Sequence, residues 1–133
     1  MRRIFIGIGI VAGLAVAWWL VSAITVNARS SKFDTDVDYL FGALQEYKDH
    51  VGSYPLGSNA QVAKALKGQN PKNVIIVVGR QIDMNEKGEF VDPWGTPLRV
   101  YFSEAGVLIR SAGPNRRFDD TNVKDADDSF RSN

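Results

Sequence analysis

The distribution of apolar and polar residues divides the chain into three stretches. Residues 4–26 form an apolar run of 23 residues with no charge, in which only Ser22 and Thr25 carry polar side chains. As a helix this run spans about 35 Å, enough to cross a hydrocarbon core of about 30 Å. From Phe33 the pattern changes to apolar positions at Phe33, Val37, Leu40, Leu44, Tyr47 and Val51, the 4-3-4-3-4 spacing of an amphipathic helix. No Pro or Gly lies between Gly13 and Gly42, so the two stretches are expected to run on as one long helix. Asp34, Asp36 and Asp38 read as first-turn acids of the amphipathic part, where carboxylates favour a helix N-terminus. Gly52 supplies the stop, and Pro55 prevents continuation.

Beyond the turn, Ser58-Asn59 caps a short helix carrying Val62, Ala63 and Leu66, closed by Gly68. Residues 74–78 are a β-branched run that predicts a buried strand. Asp92-Pro93-Trp94-Gly95-Thr96-Pro97 predicts a rigid corner, because proline fixes φ and Gly95 permits unusual φ. Residues 98–102 and 107–110 read as a hairpin about Ser103-Glu104-Ala105-Gly106. Residues 111–133 lose apolar periodicity, with Phe118, Val123 and Phe130 as the sizeable apolar groups, and are expected to be irregular. The fold class is therefore α+β: a long N-terminal helix, with a membrane half and an amphipathic half, packed on a small antiparallel sheet, and an irregular C-terminal loop. The domain division is an anchor over 1–31 and an exported domain over 32–133.

Charge orients this arrangement. Residues 1–31 carry Arg2, Arg3 and Arg29 without an acid, whereas the whole chain of 133 residues carries a net +1. The positive-inside rule then puts the N-terminus in the cytoplasm, with the domain periplasmic or otherwise extracytoplasmic on a single-pass inner-membrane anchor. A cleaved secretory signal is the rival reading, since Val21-Ser22-Ala23 and Val26-Asn27-Ala28 resemble small-residue cleavage sites. Gly9 and Gly13 form a G-x-x-x-G that allows close helix packing in lipid, a pattern also met as ordinary membrane-helix composition. The near-neutral charge argues against a nucleic-acid partner. The absence of cysteine excludes disulfides and thiol chemistry.

Catalytic constellations are missing. His50 is the single histidine, at the end of the amphipathic helix, and no nucleophile elbow or phosphate-binding glycine loop accompanies it. Neither an enzyme nor a small-molecule substrate is expected. Trp94 and Tyr54 sit at proline turns, where an aromatic packs as a plug more often than it offers a carbohydrate platform. Asp34-x-Asp36-x-Asp38 imitates the start of an EF-hand, but Tyr39 and Gln45 occupy the positions of the required Gly and Glu. The chemistry-bearing stretch is instead C-terminal, where Asp119, Asp120, Asp125, Asp127 and Asp128 place five carboxylates in ten residues. Calcium takes six to eight oxygens in irregular geometry and suits such a loop. A solvated acidic tail balanced by Arg116, Arg117, Lys124 and Arg131 is the alternative.

The element order, with Tyr47, Gly52-Ser53-Tyr54-Pro55, Asp92-Pro93-Trp94-Gly95-Thr96-Pro97, Ser111-Ala112-Gly113 and Asp125-Ala126-Asp127, resembles the major pseudopilins of type II secretion systems over about residues 36–128. The resemblance implies a pilin-like fold, association with other pilin-like subunits or with itself in the membrane, and calcium in the C-terminal loop. Asn115 falls where the family often has Asp, Asp125 and Asp127 match its closing acids, and Asp119 or Asp120 supplies the charge that Asn115 lacks. The N-terminus departs from the family. Met1-Arg2-Arg3 runs directly into Ile4-Phe5-Ile6 without a prepilin-peptidase pattern, and no Glu occurs before Glu46. The alternative function is a membrane-tethered or secreted calcium-stabilised binding module that uses the same fold.

Overall fold

The structure is a computed structural model that describes residues 2–77, 82–119 and 127–133, with side chains described from Gly13 onward. Its elements are α1 (Arg2–Val51), α2 (Asn59–Leu66), β1 (Arg99–Ser103), β2 (Gly106–Ser111) and β3 (Ser129–Ser132). The class is α+β, a long N-terminal helix with a three-stranded antiparallel sheet of order β1-β2-β3.

Helix α1 runs 50 residues without interruption, about 75 Å. Its two halves differ in what surrounds them. Leu14, Val16, Trp18, Trp19, Leu20, Val21, Ile24 and Val26 are all exposed. Ser22 and Thr25 turn their hydroxyls back onto the carbonyls of Trp18 and Ser22, at 2.8 and 2.9 Å, so this stretch presents no unmet hydroxyl donor. Among the described residues no helix is long and apolar enough to cross a membrane. The side chains described between Gly13 and Val26 cover about 21 Å of helix, short of a hydrocarbon core of about 30 Å. The expected anchor therefore depends on residues 4–12, whose side chains lie outside the described ones.

From Phe33 the stripe turns inward: Phe33, Val37, Leu40, Leu44 and Tyr47 are buried, joined by Ala43. Each large aliphatic or aromatic group contributes about 1.5–3 kcal/mol by leaving water. Against them pack Val62 and Leu66 of α2, Phe90 and Leu98 from the connecting segments, and Val107 and Ile109 of β2. The Asp34, Asp36 and Asp38 run does not start a helix, because α1 has already run through more than thirty residues. Asp34 and Asp38 are exposed, but Asp36 is buried and accepts from Lys32 Nζ at 2.6 Å. Lys32 also lies 3.2 Å from Asp83. Burial opposes its ammonium, yet the hydrogen bonds and charges of Asp36 and Asp83 outweigh that and raise its pKa above the ordinary 10.5.

Ser58 caps α2 through a reciprocal box with Gln61. Over residues 74–77, the described part of the strand expected at 74–78, no strand forms. Ile75 makes one isolated bridge to Lys67 and is 61% exposed. The amides of Ile76 and Val77 both donate to the Leu66 carbonyl, at 2.9 and 3.0 Å. The last carbonyls of a helix need partners, and this segment supplies them instead of joining a ladder. Asn70 holds the bend, donating to the Ala65 and Val74 carbonyls and accepting from the amides of Lys72 and Val74. Residue 78 lies outside the described residues.

The hairpin forms as expected, with Arg99 opposite Arg110 and Ser103 opposite Gly106. Val107, Ile109 and Ser111 are the buried face of β2. The C-terminal stretch is not irregular throughout, since β3 pairs antiparallel with β2, from Leu108 opposite Ser132 to Ser111 opposite Ser129. No hydrophobic alternation announces it. Its one large apolar residue, Phe130, is half exposed.

Candidate cation site

The site is built from the Asp92 corner outward. Asp92 is 2% exposed. Its Oδ1 accepts from the amides of Trp94 and Thr96, at 3.0 and 2.8 Å, while its own amide donates to the Thr96 carbonyl at 2.8 Å. Gly95 donates to the Asp92 carbonyl with φ of +88°, a conformation open to glycine. Pro93 sits in the turn between Asp92 and Trp94, and Pro97 pairs with Val91. Trp94 is buried, so its ring packs and offers no carbohydrate platform. Tyr54 stacks on Phe102 at 5.5 Å, with Lys48 Nζ 4.5 Å from its ring.

The other carboxylate oxygen of Asp92 receives the Ser111 hydroxyl at 2.7 Å, and the same hydroxyl accepts from the Gly113 amide at 3.0 Å. This relay carries the corner to the acidic loop. Gly113, at φ of +68°, lies so close to the loop's return that a Cβ there would stand 2.2 Å from the Asp127 carbonyl oxygen. Glycine is required at this point because two backbones touch.

Around that contact, carboxylate oxygens of Asp119, Asp127 and Asp128 gather within 4.8 Å of one another. Asn115 braces two of them: its amide donates to Asp127 Oδ2 at 3.0 Å and its Nδ2 to Asp119 Oδ2 at 2.7 Å. Its Oδ1 is taken by the Arg117 amide at 2.7 Å. Asn115 thus acts here as a donor that positions the carboxylates. Arg110 pairs with Asp128 and donates to the Asp119 carbonyl. The guanidinium also lies over two rings, 5.3 Å from the Phe118 centroid and 5.0 Å from that of Phe130, while the Arg99 guanidinium lies 3.8 Å from the Phe118 centroid. Phe118, one of the few apolar residues of the loop, is what ties it to the outer face of the sheet.

Of the three carboxylates Arg110 pairs with that of Asp128, and Asp127 Oδ1 is buried without a hydrogen-bond partner among the described residues. A buried, unpaired carboxylate oxygen beside two further carboxylates fits a hard cation, whose ligands are oxygens. The triad can hold a metal ion; the donor set does not by itself choose among oxygen-seeking cations.

Of the expected ligands, Asp119 and Asp127 meet and Asn115 supports them, whereas Asp120 and Asp125 lie outside the described residues. Asp128 is the member that sequence reasoning did not select; its burial against Arg110 is a product of the sheet. Gly9 lies outside the described side chains, and Gly13 has open space where a Cβ would stand. His50 Nδ1 lies 2.9 Å from the Glu46 carbonyl at the end of α1. With fold and site in place, the class is a helix-on-sheet α+β protein with an acidic loop. No family model, curated protein or solved structure matches the chain.

Proposed function

We propose that this chain is a structural, non-enzymatic pilin-like subunit of the pseudopilin type, held in a membrane by the N-terminal half of α1 and associated with type II secretion-type protein export. The observation that carries this reading is the change of character along one unbroken helix. Residues 14–26 expose a continuous apolar surface that water does not favour, and the stripe Phe33, Val37, Leu40, Leu44 and Tyr47 of the same helix is buried on the domain. An apolar helix continuous with a packed domain has two environments that suit it, lipid and other such helices. Gly13 leaves room for close approach in either. Calcium is the proposed ion of the Asp119, Asp127 and Asp128 triad, where it would neutralise the loop and hold it over the sheet end.

Cross-linking in membranes, with the chain expressed alone and beside other pilin-like proteins, tests the assembly. Homo- or hetero-oligomers linked through residues 13–26 support a subunit role, and monomer under every condition refutes it. A second reading, a tethered calcium-stabilised binding module, draws on the lack of any acidic side chain before Asp34 that could register one subunit on the next. A mature N-terminus at Ile24 or Arg29 would favour that module in its secreted form.

A further inference from the structure

We propose that β3 is a charge-latched C-terminal strap, which detaches from β2 as a unit while α1 and the β1–β2 hairpin stay folded. None of its four residues is buried, whereas Val107, Ile109 and Ser111 of neighbouring β2 are. Removing the strap therefore costs backbone pairing, polar contacts, the Phe130–Arg110 contact and the burial of only half of Phe130, and segments with so little apolar burial open at the low end of a protein's free-energy range. What holds it across the fold is Arg131. One nitrogen of its guanidinium donates to Asp34 at 2.9 Å and the other to Asp38 at 2.5 Å, the two carboxylates standing one helical turn apart on α1. All three side chains are more than a third exposed, so the latch is electrostatic and open to salt.

The far end is held by Asn133, whose amide donates to the Val107 carbonyl and whose Oδ1 accepts from the Val107 amide, at 3.3 and 2.8 Å. The near end has a natural hinge. Asp128 is fixed to Arg110 of β2, so Ser129 is the first residue free to swing. Opening bares the β2 edge from Leu108 to Ser111, a row of amides and carbonyls able to pair with a strand from another chain. The Arg131 latch thereby sets how often that edge is available.

Residue-resolved hydrogen exchange on the full chain in detergent micelles tests this, at low salt and in 0.5 M sodium chloride. The amides of residues 129–133 are expected to exchange ahead of the hairpin, and about fivefold faster in Arg131→Ala or in salt, the size of two exposed ion pairs. A charge swap, Arg131→Glu with Asp34→Arg and Asp38→Arg, is expected to restore the wild-type rate. One common rate for strap and hairpin in every sample would overturn the proposal, because β3 would then open only with the whole domain. So would Arg131→Ala speeding the hairpin equally, or a swap that restores nothing.

Discussion

Ser111→Ala tests whether the corner and the acidic loop are one mechanical unit. The side chain is fully buried and makes two hydrogen bonds, donating to the Asp92 carboxylate at 2.7 Å and accepting from the Gly113 amide at 3.0 Å. The first is a bond to a buried charged group, of a kind that contributes about 1.5–3 kcal/mol. The second is an ordinary bond of about 1 kcal/mol. Alanine removes the hydroxyl that donates to Asp92 Oδ2 and accepts from the Gly113 amide. The expected loss is about 2–4 kcal/mol, read as a lower urea midpoint at unchanged slope. A domain of about a hundred residues would lose about 4–8 °C in melting temperature for each kcal/mol. Because Gly113 sits against the Asp127 backbone, the variant should also bind calcium more weakly than wild type, read by calorimetry on folded protein. A loss below about 0.5 kcal/mol, or unchanged calcium affinity, would refute the relay as a support of the loop.

Asp127→Asn is expected to raise the melting temperature in chelator, by easing repulsion among three carboxylates, and to abolish the calcium-dependent rise; with calcium at 100 times its Kd, wild type should gain about 2.7 kcal/mol. Gly113→Ala, forced against the Asp127 carbonyl and into a left-handed backbone, should cost about 1–3 kcal/mol and displace the loop, seen as loss of the Asp127 and Asp128 chemical-shift environment by NMR. Asn59→Ala removes two donations, to the Phe90 and Leu98 carbonyls, and one acceptance from the Phe90 amide, so urea unfolding should show a loss of about 2–3 kcal/mol. The raised pKa of Lys32 makes its contribution fully present below pH 10.5 and lost as pH climbs through the folded-state value. Lys32→Met should remove that alkaline fall in stability while leaving the neutral-pH fold intact.

The α1 stripe was legible from spacing alone, because a buried helix face repeats every 3.6 residues and Phe33, Val37, Leu40, Leu44 and Tyr47 keep that period. The Ser58 cap, the Asp92 corner and the hairpin were equally legible, since each depends on backbone chemistry within a few residues. Residues 74–77 misled for the opposite reason. Their β-branched side chains state a preference for extended backbone, but the open carbonyl of Leu66 claimed the amides of Ile76 and Val77, and only the packed end of α2 supplies that partner. Strand β3 carries no apolar alternation and exists because β2 offers an edge and α1 offers Asp34 and Asp38 to Arg131, over 90 residues away. The acidic loop divides along the same line. Composition determined that carboxylates would crowd there. Which of them converge, Asp119 with Asp127 and Asp128, was decided by the Gly113 backbone contact and by Arg110 on the sheet, because metal-competent geometry is a property of distances between segments and not of order along the chain.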